Sequence, residues 1–339
     1  MRSVRGFGFY LAMFLIGAVA PVFCQNEWQV LNTFHIGGDG GWDYVTVDAP
    51  NHRLFVTRST HTMVIDTDSG AVLGDIAGQV RSHGVAIVPR LGRGFITDGG
   101  GSGAIIVFDL KTYAILGRIP AMPDSDGIIY DAKQDRVLAV SGDGAALMVF
   151  PPDIDPKNGK IDQTIELGGS PEFLTSDGSG KVYINIEDKD EVSVVDLRSR
   201  KVVARWPVAP GGRPVGMSMD EGSHRLFIGC RNPQKMIVMN SDSGKIEAAL
   251  PIGAGVDATR FHNGHAFASC RDGSLTVVGQ KAEKFEVEQS LKTAEGARTL
   301  GLDSDTGRIF LPTSEFEPAA TGHPTSKPQT FKILVVGQS

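Results

Sequence analysis

Cysteine is scarce in this chain: Cys24, Cys230 and Cys270 are the only 3 among 339 residues. That excludes a disulfide-stapled scaffold and a Cys-rich zinc site. A positive surplus is also missing. Lys and Arg number 33 against 39 Asp and Glu, for a net charge of −6, which opposes non-specific binding of a polyanion. Long apolar runs are absent except for one at the N-terminus. Helical periodicity is absent beyond that run, so parallel βαβ units are excluded. The serines lack a nucleophile-elbow context, and no Cys-x-x-Cys-His haem motif occurs. The glycine run from Gly99 to Gly103 lies between two strand-like segments, with no helix to present an N-terminus to phosphate. What the chain does have is glycine, 42 residues of it, with 41% apolar and 21% charged residues. That composition suits many tight turns between short strands around a buried core.

Residues 1–24 read as an export signal. Arg2 and Arg5 precede an apolar run of roughly 14 residues, too short to span a bilayer. Cleavage after Cys24 leaves Val22 and Cys24 at the small-residue positions. Acylation of Cys24, with bulky Phe23 before it, and an uncleaved anchor are the rival readings. The expected location is periplasmic or secreted.

The remainder repeats itself. Segments of one pattern begin at Tyr44, Gly84, Gly127, Glu172, Gly216, Asp257 and Thr299, spaced by 40, 43, 45, 44, 41 and 42 residues. Each has an apolar strand, a turn rich in Gly, Asp and Asn, and a second apolar strand, as in YVTVDAPNHRLFVT from Tyr44. A third strand follows and ends in Asp66, Asp109, Asp196 or Asn240, whose side chains suit capping of the next turn. A more polar fourth strand closes the unit. Four strands per unit and a period of 40–45 residues imply an all-β, seven-bladed β-propeller over residues 25–339, a single domain. The last unit lacks its fourth strand and the first is preceded by an orphan at residues 28–36. Pairing that orphan with residues 331–336 completes the ring and removes its free edges. Two insertions interrupt the period, at residues 151–160 and 313–330; the second suits a lid over the channel mouth or an idle loop.

These residues resemble the seven-bladed YVTN-type β-propeller repeat proteins. The resemblance runs from about Trp28 to Val336. It rests on the hairpin, the aromatic second strands Leu54-Phe55-Val56-Thr57, Val182-Tyr183-Ile184-Asn185 and Leu226-Phe227-Ile228-Gly229, and the third-strand Asp. The family's Asn at the end of the second strand is mostly replaced. Membership implies a fold and little chemistry.

In a propeller with this strand order, the loops leading into the first strands and those between second and third strands, which carry Arg58, share one face at a mouth of the central channel. The candidate ligand-binding set there is Trp42, Asp43, Arg58, His83, Asp126, Glu172, Arg213, Asp257 and Arg298, with no catalytic residue assigned. His52, His224, His262 and His265 fall in hairpin turns on the opposite face and read as solvated. The carboxylates suit a divalent cation such as calcium, and the Arg residues suit an anionic group. The reading is an exported, monomeric binding or scaffold protein for a protein or small polar ligand, not for nucleic acid. The alternative is a lactonase-like hydrolase using His83, Glu172 and Arg298 with a divalent metal. His83 with Asp43 or Asp126 is the best acid–base pair. Carboxylates converging on one point favour the hydrolase; carboxylates matched singly by Arg favour the scaffold. Cys230 and Cys270 hold matching positions in consecutive units, too far apart for an expected disulfide.

Overall fold

A computed structural model describes residues 27–317 and 325–338. Residues 1–24, which read as an export signal and include Cys24, and part of the second insertion lie outside the described residues. The fold is all-β and propeller-like. Five four-stranded antiparallel sheets are joined by one seven-stranded sheet and a two-stranded ribbon. The only helical elements among the described residues are three single-turn 3₁₀ segments, Ala49–Asn51, Pro89–Leu91 and Glu187–Lys189.

The fourth unit shows the local logic. Strands Pro171–Ser176, Lys181–Ile186, Glu191–Asp196 and Lys201–Pro207 pair in sequence order. The second and third strands are apolar along most of their length because both faces are covered; Val182, Ile184, Val192 and Val195 are fully buried. The fourth strand alternates exposed and half-buried residues, since one face meets water. A register shift recurs between the third and fourth strands, at Val64/Ile65, Val107/Phe108, Val194/Val195, Val238/Met239 and Val277/Val278. Such bulges increase strand twist.

The turn after the third strand is built as its sequence implies. Asp66 Oδ1 accepts from the Ser69 amide at 2.7 Å, and Asp109, Asp196 and Asn240 accept from Thr112, Ser199 and Ser243 in the same way. These bonds favour the ionised form, so Asp66, Asp109 and Asp196 sit below the ordinary carboxylate range. Gly244 in this turn has φ +71°, and a Cβ there would meet the Trp206 ring at 2.3 Å. Both conformation and contact therefore demand glycine.

Two features differ from, or refine, the expected strands. The fourth strand of the first unit and the first strand of the second form one continuous strand, Val72–Val88. The chain stays extended through the connection because Ser82 pairs with both Ser59 and Asp98. The N-terminal strand Trp28–His35 pairs antiparallel with Lys332–Gln338, which pairs in turn with Ile309–Thr313. The orphan strand thus lies beside the end of the chain. Trp28 anchors it, packing edge-on against Phe267 at 4.7 Å. Within the second insertion, Phe316–Glu317 pairs with Thr325–Ser326. No helix of the described residues is long and apolar enough to cross a membrane.

First strands from all the repeat units line one central cavity of about 440 Å³, among them Val45, Val85, Ile128, Phe173, Met217, Arg260 and Leu302. This channel positions the candidate site.

Candidate functional site

Each first strand starts beside the mouth of the channel, and its leading loop is fixed by its neighbours. The polar residue ending a second strand reaches across to the next unit. Thr57 Oγ1 donates to the His83 carbonyl at 2.6 Å and Thr97 Oγ1 to the Asp126 carbonyl at 2.5 Å. Asn185 Nδ2 donates to the Val215 carbonyl at 2.8 Å, and Ser269 Oγ to the Arg298 carbonyl at 2.6 Å. Buried Asp98 accepts from the Val80 and Arg81 amides and faces Arg118 at 3.2 Å. Asp188 and Asp272 accept from the Ser170 and Ala254 amides, each at 2.6 Å. Backbone carbonyls and amides of the loops are satisfied in this way, so the loops are held in place.

Asp43, His83 and Asp126 come from three successive units and meet. His83 Nδ1 lies 2.6 Å from Asp43 Oδ2 and 3.4 Å from Asp126 Oδ1. Ligand atoms of the three lie within 4.8 Å of one another. Burial opposes the His83 charge, but the Asp43 hydrogen bond and the Asp126 and Asp43 charges outweigh it and raise its pKa. Gly99 leaves the room; a Cβ there would stand 3.1 Å from His83 Nε2 and from the Ser125 carbonyl. Burial first, then the neighbouring Asp43 and Asp124 charges, pushes Asp126 upward against the pull of His83. Glu172 is raised too, by burial and by the charges of Asp126 and Glu187. Among the described residues, its carboxylate has no hydrogen bond or ion pair.

Asp257 behaves differently. It receives Arg231 Nη2 at 2.5 Å and Arg298 Nε at 3.0 Å. Arg298 Nη2 also donates to the Trp42 carbonyl at 2.8 Å, and its guanidinium lies over the Trp42 ring. Arg213 and Arg231 share Glu187, at 2.9 and 3.3 Å. Here guanidinium groups match the carboxylates.

Two members of the sequence-derived set pack where the chain's two ends meet, Trp42 there also touching Arg298. Arg58 is buried under the N-terminal loop, donating to the Gly41 and Asp39 carbonyls, each at 2.8 Å, with its guanidinium 3.6 Å from the Phe331 ring centre. Burial lowers its pKa to about 10. Trp42 is buried between Phe331 and Phe316. Both hold the junction between the chain's two ends. Of the four turn histidines read as solvated, His262 and His265 are half-buried, His265 against Trp28 and Glu288, and the other two behave as read. His52 pairs with Asp68 at 2.9 Å and His224 with Asp242 at 3.1 Å, both partners well exposed in each pair.

Three channel residues carry no loop signal and escape sequence reasoning: Tyr44, Ser218 and Arg260. Tyr44 stacks on Phe173, ring centres 4.4 Å apart, and its hydroxyl has no partner. Only strand phase marks them; an Arg in an apolar first strand, TRF at Thr259-Arg260-Phe261, is the one cue. Cys230 and Cys270 are separate, buried thiols, each pushed by burial up to about 12. Thiolate chemistry at neutral pH is disfavoured for both.

The mouth therefore has two halves: a guanidinium-saturated one around Asp257, and one around Asp43, Asp126 and Glu172 whose carboxylates outnumber His83. The second half can take up positive charge as Asp126 and Glu172 give up the protons that burial holds on them.

No family model matches the chain, and no curated protein matches it in sequence. Among solved structures it is similar to a chain of hydrazine synthase from Kuenenia stuttgartiensis. The identity is 12%, the TM-score 0.67, and the match covers 82% of this chain and 94% of that one. At that identity the likeness carries the general propeller scaffold and no function.

Proposed function

We propose that the protein is an exported, monomeric, seven-bladed β-propeller of YVTN-like type that binds a small polar ligand at its channel mouth. The common cavity lined by all the first strands supports a ring of seven. The pairing of Trp28–His35 with Lys332–Gln338 supports closure by the N-terminal strand. Export rests on residues 1–24, and N-terminal sequencing of protein recovered from its native compartment tests it. The observation that carries the binding reading is the meeting of Asp43, His83 and Asp126, whose ligand atoms lie within 4.8 Å of one another, with the Asp126 charge acting on the Glu172 carboxyl. The ligand's cationic part, a divalent metal ion or an amine, sits there. Its anionic or polar part faces the half containing Arg213, Arg231 and Arg298.

Calorimetric titration of the protein with calcium chloride tests this reading. We expect saturable binding that Asp126→Asn and Glu172→Gln each weaken at least tenfold. Binding should tighten as pH rises, because both carboxyls must release protons held by the fold. If neither calcium, nor other divalent ions, nor simple amines bind, the reading fails.

A second reading draws on the same cluster. A divalent ion held by Asp43, His83 and Asp126 would polarise an ester or lactone carbonyl, with Glu172 and Arg298 beside it. His83 would then exchange its bond to Asp43 for one to the metal. A stoichiometric ion together with lactone hydrolysis that Asp126→Asn abolishes would favour this over simple binding.

A further inference from the structure

The channel below the mouth carries a guanidinium that nothing neutralises. Arg260 lies three residues beyond Asp257 in the strand Val256–His262, about 10 Å further along the channel. Its only hydrogen bond is from Nη1 to the Thr259 carbonyl, 2.8 Å. No carboxylate lies within ion-pair distance of it among the described residues. Its guanidinium carbon is 5.5 Å from the centre of the Phe173 ring, the ring on which Tyr44 stacks. Phe173 and Tyr44 thus stand where the channel passes from the acidic mouth to Arg260.

The same cavity offers two more unused polar groups. Ser218 is 8% exposed and its Oγ has no partner; the Tyr44 hydroxyl has none either. The remaining walls mix apolar side chains, Val85, Ile128 and Met217 among them, with polar ones such as Thr46 and Thr175. A half-buried cation without a counter-charge and unpaired hydroxyl groups are costly unless a ligand or water completes them. One guanidinium balances one negative charge, which fits a monoanion better than a phosphate dianion. Val85, Ile128 and Met217 offer a short hydrocarbon tail apolar contact. The volume of about 440 Å³ is within the range of small-molecule sites, about 300–1,000 Å³.

We propose that the central channel is a second binding site, in which Arg260 receives the carboxylate of a small organic monoacid. Ser218 and Tyr44 donate to its free oxygen lone pairs, and the alkyl or aryl tail packs along the channel walls. This site is separate from the cation-favouring mouth and does not depend on it.

The test is calorimetric titration of the protein with acetate, hexanoate, benzoate and inorganic phosphate at constant ionic strength. We expect saturable carboxylate binding that tightens about fourfold per buried methylene from acetate to hexanoate. Arg260→Gln should weaken hexanoate binding at least tenfold, and Ser218→Ala severalfold. His52→Ala, on the turn face, should leave it unchanged; the mouth reading is tested with calcium and this one with hexanoate, so failure here and failure of the mouth reading are distinguishable. Should Arg260→Gln not fold, wild-type melting still decides, because hexanoate must raise the midpoint in a dose-dependent way. The proposal is overturned if no monocarboxylate binds the wild type, if phosphate binds in its place, or if Arg260→Gln binds hexanoate as tightly as wild type.

Discussion

The molecule makes the same His–Asp pair in two places with opposite consequences. On the turn face, His52–Asp68 and His224–Asp242 stand 2.9 and 3.1 Å apart, each side chain more than half exposed. At the mouth, His83–Asp43 stands 2.6 Å apart with side chains 11% and 28% exposed, and a second carboxylate, Asp126, shares the imidazole. Water screens the first pairs, so their contribution is small. Burial removes the screening at the second, so each group depends on the others. The lesson is that residue type does not separate a solvated turn from a site; the surroundings do.

The sharpest way to break this comparison is to delete the imidazole. His83→Ala leaves Asp43 and Asp126 facing each other without a cation, and we expect a loss of about 3–5 kcal/mol in denaturant unfolding. His52→Ala should cost about 0.5 kcal/mol or less. Equal losses would end the distinction. Asp257→Asn comes next. It strips two guanidinium groups of their shared carboxylate, and a loss of about 3 kcal/mol is expected, with Arg298 released from its place over Trp42 as read by tryptophan fluorescence. Gly99→Ala presses on His83 Nε2 and the Ser125 carbonyl, and overpacking should cost about 1–3 kcal/mol. It should also weaken any cation binding at the mouth, whereas Gly92→Ala, where a Cβ meets nothing within 4 Å, should not.

The smallest effect is the pH dependence. The folded pKa of His83 is raised, so its stabilisation is complete below the unfolded value of about 6.5 and is lost as pH climbs through the folded value. Asp126 and Glu172 are also raised, so the fold keeps protons that the unfolded chain releases above about pH 4. Both effects lower stability as pH rises. Unfolding at pH 9 should therefore need less denaturant than at pH 6, and Glu172→Gln should reduce the difference. A flat profile in the wild type would contradict the buried cluster.

Much of the architecture was legible before any coordinate. The repeat starts at Tyr44, Gly127, Glu172, Gly216, Asp257 and Thr299 fall at the first strands of sheets, Gly84 falls inside the continuous strand Val72–Val88, and Asp66, Asp109, Asp196 and Asn240 cap turns as their positions imply. The N-terminal strand lies where the missing fourth strand required it. Less legible was the bond made by Thr57, Thr97, Asn185 and Ser269, because three residue types make it and pattern matching sees only the change. The connection at residues 77–83 escaped too. Its polar composition reads as a loop, yet pairing on both sides keeps it extended.

At the site, the pairing of His83 with Asp43 and Asp126 was legible as a possibility, since propeller geometry sends their loops to one mouth. The burial of Arg58 and Trp42 at the junction of the chain's ends was not, because their two kinds of loop share the mouth's face. Arg260 was invisible, being a strand residue among apolar neighbours.

By itself, the sequence determined strand, turn and repeat, because those depend on residues a few positions apart and on side-chain alternation. Only the tertiary structure decided which charges meet. Asp43, His83 and Asp126 are separated by 40 or more residues, and their distances are set by how neighbouring sheets pack around a shared axis.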